Sequence, residues 1–147
     1  MKRRNSVIFD LDGTLALIDH RRHLVEGENK NWPLFYKSCI NDKPNKKLID
    51  ILSLLFHENK IVIYSGRSDE VRLETMNWLS YYNIPYDTLR MRFEGDFTPD
   101  EVLKKSWLDI DYQDKRLIVC VFDDRDKVVK MWRDQGLLCC QVAPGDF

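Results

Sequence analysis

Phe9-Asp10-Leu11-Asp12-Gly13-Thr14-Leu15 closes a short apolar run that begins at Ser6. In an extended strand successive side chains point to opposite faces, so Asp10 and Asp12, two apart, aim at the same space. Gly13 allows the sharp turn that lifts the chain off the strand end. Two carboxylates crowded there repel one another unless a cation sits between them. A hard dication with oxygen ligands meets that need, and magnesium suits phosphate chemistry. A lone Asp-x-Asp is ordinarily a solvated turn. Here it ends a buried strand, and the rest of the chain supplies partners.

Outward from this stretch, short apolar runs alternate with amphipathic helical patterns. Strands are predicted at 6–10, 60–65, 88–91, 117–122 and 138–142. They are nearly continuous apolar runs, as expected when both faces are covered. Helices are predicted at 45–58, on Leu48, Leu52 and Leu55 with Ile49 and Phe56, and at 69–82, on Val71, Thr75, Trp78, Leu79 and Tyr82. A third, 99–109, carries Val102, Leu103, Ser106, Trp107 and Ile110. A fourth, 127–135, carries Val128, Met131 and Trp132, and Gly136 stops it. This alternation predicts an α/β fold: a Rossmann-like three-layer arrangement around a central parallel sheet with right-handed crossovers. Ligands in such sheets bind beyond the carboxyl ends of the strands.

Two more strand ends carry chemistry. Tyr64-Ser65-Gly66-Arg67-Ser68-Asp69 places a hydroxyl at a strand tip, a glycine that bares backbone N–H, and a helix start: an anion seat. Ser65 would bind a phosphoryl oxygen, and Gly66 and Arg67 would touch the substrate. Phe122-Asp123-Asp124-Arg125 adds a second acidic pair, and four carboxylates on one sheet edge make little sense without a metal. A cation must neutralise the transferring group, and Lys104 and Lys105 both flank the predicted apolar face of their helix. Spacing does not choose between them.

Residues 16–44 break the repeat. This segment holds Asp19-His20-Arg21-Arg22-His23, a polar stretch 26–31, and Trp32-Pro33-Leu34-Phe35-Tyr36, whose aromatics predict a small packed helix. A segment of this length leaving a carboxyl edge is expected to act as a small cap that reads the substrate, with Arg21 and Arg22 as its contacts. His20 and His23 form an HxxH without a third ligand at zinc spacing, so no zinc site is expected.

The 147 residues fit a single domain over 1–147, with 16–44 as its inserted cap. The chain is 44% hydrophobic and 32% charged, with a formal net charge of −1. No global field draws it to nucleic acid or to an anionic membrane, so nucleic-acid contact requires a local cluster. Arg21, Arg22, Arg67, Arg90, Arg92 and Arg133 are the candidates for a short basic rim. No apolar run reaches the length of about eighteen that a membrane helix needs. Met1-Lys2-Arg3-Arg4-Asn5 leads straight into the first strand, whose apolar run is too short for a signal peptide. Cys39, Cys120, Cys139 and Cys140 form no CxxC pair and read as small buried hydrophobes of a reducing, cytoplasmic compartment.

In this order, DxDGT, a strand-end serine, a helical lysine and a strand-end Asp-Asp resemble the haloacid dehalogenase (HAD) superfamily of phosphatases. Ser65-Gly66-Arg67, Val102-Leu103-Lys104, Asp123-Asp124-Arg125, Val128-Val129-Lys130-Met131-Trp132-Arg133 and Gln141-Val142-Ala143-Pro144-Gly145-Asp146-Phe147 look like the 3′-phosphatase domain of phage polynucleotide kinase. The resemblance covers nearly the whole chain and puts the family lysine on Lys104. It implies that Asp10 attacks phosphorus and that Asp12 acts as acid and then base. It also implies Mg2+ held by Asp10, the backbone carbonyl of Asp12, Asp123 and Asp124, with Ser65 and Lys104 on the phosphoryl oxygens. The implied substrate is a phosphorylated one: 3′-phosphorylated nucleic-acid ends or nucleotides. Two alternatives stand beside it, a phosphatase of free nucleotides or small metabolites and a non-catalytic phosphate-binding module. No GxxxxGK[ST] loop occurs, so this chain carries no kinase domain. The segment 16–44 is longer than the corresponding connection in that domain.

Overall fold

The structure, a computed structural model, describes residues 5–147. The basic start at 1–4 lies outside the described residues. Five strands form a parallel sheet: β1 (Ser6–Phe9), β4 (Lys60–Ser68), β5 (Thr88–Arg92), β6 (Ile118–Asp123) and β7 (Cys139–Gln141). Their order is β5-β4-β1-β6-β7. β1 is central and pairs in parallel with β4 (Phe9 beside Ile63) and with β6 (Phe9 beside Phe122). The carboxyl ends of β1, β4 and β6 therefore lie side by side. Two very short strands, β2 (Ala16–Leu17) and β3 (Lys43–Pro44), pair antiparallel and bring the two ends of segment 16–44 together.

Period-two alternation in the strands feeds two cores. Val7, Phe9, Ile61, Ile63 and Met91 face one side, where α2 (Lys46–Phe56) and α3 (Arg72–Tyr81) bury Leu48, Leu52, Trp78 and Leu79. Ile8, Val62, Tyr64 and Val121 face the other. There α4 (Asp100–Asp111) and α5 (Asp126–Asp134) bury Leu103, Trp107, Leu108, Val128, Val129 and Trp132. This gives the three layers expected from the pattern. Between β2 and β3 lie a 3₁₀ turn (Arg22–Val25), the expected aromatic helix α1 (Trp32–Lys37) and a second 3₁₀ turn (Ser38–Asn41). Pro33 sits in the first turn of α1, where its missing N–H costs nothing, and Asn31 caps it. No helix among the described residues is long and apolar enough to cross a membrane.

Two local expectations are corrected. β4 runs past Ser65 to Ser68, and the helix predicted from 69 opens as a 3₁₀ turn (Asp69–Val71) before α3 begins at Arg72. The extension pairs Ser68 with Arg92 past a register shift after Ser65, within which Arg67 reaches Asp12 and Asp42, and Ser68 rather than Ser65 caps the turn by accepting the Glu70 N–H. In α4, Val102, Ser106 and Ile110 lie on the exposed side. The buried face is Leu103, Lys104, Trp107 and Leu108, a 3.6-residue stripe that includes a lysine. Counting apolar residues alone put the stripe one position out of phase.

Candidate active site

Asp10 follows the last residue of β1 and is 7% exposed. Lys104 Nζ donates to its Oδ1 at 2.6 Å and to Asp123 Oδ2 at 3.2 Å. The Thr14 hydroxyl donates to Asp10 Oδ2 at 2.8 Å. Lys104, not Lys105, therefore faces the carboxylates; Lys105 pairs with exposed Asp109 one turn away. Asp123 is fixed by Trp132 Nε1 at 3.1 Å and by the N–H of Asp124 at 2.9 Å. Gly13 has a φ of +82°, and a Cβ on it would collide with the Asp124 carboxylate. Glycine thus serves both the turn and the close approach of the second acidic pair.

Asp10, Asp123 and Asp124 each offer a carboxylate oxygen within 4.8 Å of the others, all three residues buried. Burial, reinforced by the charge of Asp123, pushes the Asp10 carboxyl well above its ordinary range. The same causes push Asp124 up to about 6. Burial works against the Lys104 ammonium, but Asp10 and Asp123 overcome it and hold Lys104 charged. Three buried carboxylates against one ammonium lack positive charge, and oxygen-only donors of this kind suit a hard dication.

Asp12 does not join that cluster. Its Oδ1 accepts from Arg67 Nη2 and, at 2.8 Å, from Arg21 Nη2. Burial would raise Asp12, yet the two guanidiniums overcome it and lower it to about 2. The cation between the two aspartates of the motif is thus, on the Asp12 side, a pair of arginines. Both also bind Asp42, which is 1% exposed: Arg21 at 2.6 and 2.7 Å, Arg67 at 3.2 Å. His20 reaches the same carboxylate at 2.6 Å, which gives the HxxH motif a structural use for one of its histidines.

These groups floor a cleft of about 620 Å³. Gly66 and Arg67 line it, while Ser65 sits just beneath, its hydroxyl accepting the Arg67 N–H at 3.1 Å. Arg22 and Trp32, from the segment between β2 and β3, line its wall. Arg21 does not reach the wall: it is wholly buried over the Phe35 ring, 4.3 Å from the centroid. Arg90 is paired with Asp111 away from the cleft, and Arg133 binds the Cys139 carbonyl. Asp100 was missed as a site residue because an acid in a first helical turn reads as a dipole partner. Its carboxylate lies against Gly66, where a Cβ would collide with it, and binds Arg92 and Arg125 at 2.5 and 2.8 Å. Asp42 carried no sequence signal at all, since only the fold brings it to Arg21 and Arg67.

Solved structures share this fold. A candidate phosphatase from Clostridium difficile aligns with a TM-score of 0.66 at 14% identity, over 96% of this chain and 86% of its own. A HAD family enzyme from Bacteroides thetaiotaomicron, solved as a magnesium complex, aligns with a TM-score of 0.59 at 12% identity, over 99% and 96%. The chain has the HAD fold. Within that class, residues 4–147 match the polynucleotide kinase PNKP phosphatase domain, and the chain belongs to that family. A chain of the Pnkp1/Rnl/Hen1 RNA repair complex is 33% identical with a TM-score of 0.85; the match covers 99% of this chain and 44% of that one. A protein of Autographa californica nuclear polyhedrosis virus, named as a candidate bifunctional polynucleotide kinase/RNA ligase, is 33% identical over 132 residues. That match covers 88% of this chain and 18% of that protein. The chain thus spans less than half the length of these relatives.

Proposed function

We propose that this domain, residues 1–147 with 16–44 as its cap, is a magnesium-dependent phosphomonoesterase that removes the 3′-phosphate from polynucleotide or nucleotide ends. One observation carries the reading. A buried Asp10, held by Lys104 and Thr14 and facing Asp123 and Asp124, floors a cleft whose wall is arginine and aromatic. Family membership and the likeness to a chain of an RNA repair complex support the substrate class.

In this reading Asp10 attacks phosphorus in line. The P–O bond to the sugar breaks and an aspartyl-phosphate forms. Asp12 gives the leaving alkoxide a proton, then takes one from the water that cleaves the intermediate, releasing inorganic phosphate. Arg67 and Arg21 hold Asp12 as a carboxylate in the resting site. A bound phosphate dianion opposes them by the same Coulomb rule and returns Asp12 toward protonation. Lys104 neutralises charge on the phosphoryl oxygens, with Ser65 and the Gly66–Arg67 backbone behind it. Magnesium would be held by Asp10, the Asp12 carbonyl, Asp123 and Asp124, and when bound it supplies charge neutralisation of the transferring group.

A substrate panel tests the reading: 3′-phosphorylated oligonucleotides, 3′- and 5′-mononucleotides and sugar phosphates, each with magnesium and with chelator. Release from 3′-phosphates above the others, and only with the metal, is expected. Sugar phosphates or 5′-nucleotides turned over best would replace the substrate class.

Magnesium is also expected to stabilise the fold in a pH-dependent way. Asp124 folds with a pKa near 6 against an ordinary value of 3.8. The stability that extra proton confers is fully present below the ordinary value and is lost as pH rises through about 6. A dication replaces the proton over that same window. Millimolar magnesium should therefore raise the Tm of metal-free protein more at about pH 7.5 than at about pH 5. No shift at either pH would remove the shared metal site; equal shifts at both would remove its coupling to Asp124.

A further inference from the structure

The segment 141–147 lies flat on the loop that carries Asp123 and Asp124. Gln141 Nε2 donates to the Asp124 carbonyl at 2.9 Å and to Asp126 Oδ1 at 2.6 Å. The Asp126 N–H donates to the Gly145 carbonyl at 2.7 Å, and a Cβ at Gly145 would run into the main chain of Asp124 and Arg125. This packing delivers Phe147 to the cleft wall. There its ring is shared by two arginines from distant parts of the chain. The Arg22 Cζ is 4.2 Å from the ring centroid and the Arg125 Cζ 5.4 Å, while Arg125 Nε donates to the Phe147 main-chain oxygen at 2.7 Å.

Both guanidiniums line the cleft, and both side chains are 34% exposed. They are not equally neutralised. Arg125 is tied to Asp100 at 2.8 Å, whereas the carboxylate beside Arg22 is that of exposed Glu26 at 3.6 Å. A guanidinium resting on an aromatic face can turn its N–H edge to an oxyanion; Arg22 offers most of that edge, and Arg125 what its bonds to Asp100 and Phe147 leave. Two of them held by one ring lose less rotamer freedom when an anion binds than two loose side chains would. The floor of the cleft already has its own cation for the transferring phosphoryl group in Lys104. The Arg22–Arg125 pair at the wall therefore addresses a different anion.

We propose that Phe147 is a positioning residue for substrate choice. It holds Arg22 and Arg125 as a seat for a second, diester phosphate, the one that joins the terminal nucleotide to its neighbour. The inference rests on the proposed 3′-phosphatase reading and deepens it. A polynucleotide end offers that diester to the seat; a nucleoside 3′-monophosphate has none.

The test compares a dinucleotide bearing a 3′-phosphate with a nucleoside 3′-monophosphate in wild type, Phe147→Ala and Phe147→Tyr. The wild type should prefer the dinucleotide. Phe147→Ala should cut the ratio of the two kcat/KM values by about ten-fold, mainly through the dinucleotide KM, and make the preference less sensitive to salt. Phe147→Tyr, which keeps the ring, should restore the ratio to within about two-fold of wild type. An unchanged ratio in Phe147→Ala, or a ratio changed equally by Tyr, overturns the proposal. Equilibrium binding of the same dinucleotide, read by fluorescence anisotropy, separates this failure from that of the parent reading. If wild type releases phosphate from neither substrate, the phosphatase reading fails. The seat then stands only if Phe147→Ala still weakens dinucleotide binding more than mononucleotide binding.

Discussion

Replacing Asp10 with asparagine will reduce phosphate release by at least about three orders of magnitude, roughly 4 kcal/mol in barrier. The amide keeps the shape of the side chain but is no nucleophile, and neighbouring carboxylates are committed elsewhere: Asp12 is held by Arg21 and Arg67, and Asp123 by Lys104 and Trp132. The fold should tolerate the change. Asparagine oxygen still accepts from Lys104, and Thr14 can turn its hydroxyl to Asp124, whose Oδ1 is 3.4 Å away. One negative charge also leaves a cluster of three carboxylates and one ammonium, so metal-free Asp10→Asn should melt no lower than wild type. Phosphate release by folded Asp10→Asn at near wild-type rate would transfer the nucleophile's role elsewhere.

The fold was legible because its pattern is redundant. Five apolar strands separated by amphipathic helices permit little besides a parallel sheet, and even the small helix at 32–37 showed in its aromatics. What escaped was phase and termination, where one side chain outweighed the pattern. Lys104 belongs to the buried stripe of α4, yet a charged residue scores as surface until its partners, Asp10 and Asp123, are known. β4 overran its predicted end because Ser68 pairs with Arg92 of β5 past a register shift, and the long-range contacts of Arg67 to Asp12 and Asp42 lie within that stretch, where no local propensity encodes them.

The acidic cluster was equally plain, since adjacent parallel strands must bring their carboxyl ends together. Asp10, Asp123 and Asp124 meet as the motifs suggested. The destination of Asp12 was not legible. Two acids two residues apart would leave a strand toward the same space, but β1 ends at Phe9, before either of them, and each finds its own cation. Arg21 and Arg22 show the same limit. They are neighbours in a segment without strict periodicity, so sequence alone gave them one role, and the 3₁₀ turn that begins between them sends one inward and one outward.

That divergence sets up the second large effect. Arg21 is wholly buried, binds Asp42 through two nitrogens and Asp12 through one, donates to the Phe35 carbonyl at 3.2 Å and stacks on the Phe35 ring. Arg21→Ala leaves Asp42 and Asp12 to share Arg67, with His20 still bound to Asp42, opens a cavity beneath α1, and should cost about 3–5 kcal/mol of stability. For a chain of this size that is a fall in Tm on the order of 10 °C. Arg21→Lys should recover little, because an ammonium does not reproduce the two-nitrogen grip on Asp42. Arg22→Ala, on a side chain one-third exposed beside the Phe147 ring, should stay within about 0.5 kcal/mol of wild type. The two variants should also part in chemistry. Losing Arg21 removes one of the two cations that hold Asp12 down, so the acid limb of the dephosphorylation step, in which Asp12 takes the proton from water, should move upward; losing Arg22 should leave that limb in place and weaken polynucleotide substrates instead. A Tm for Arg21→Ala within about 2 °C of wild type would show that Arg67, with His20 on Asp42, satisfies both acids. An acid limb that moved equally in both variants would mean that Arg22, too, acts on Asp12, and the assignment of one arginine to the fold and the other to the substrate would fall.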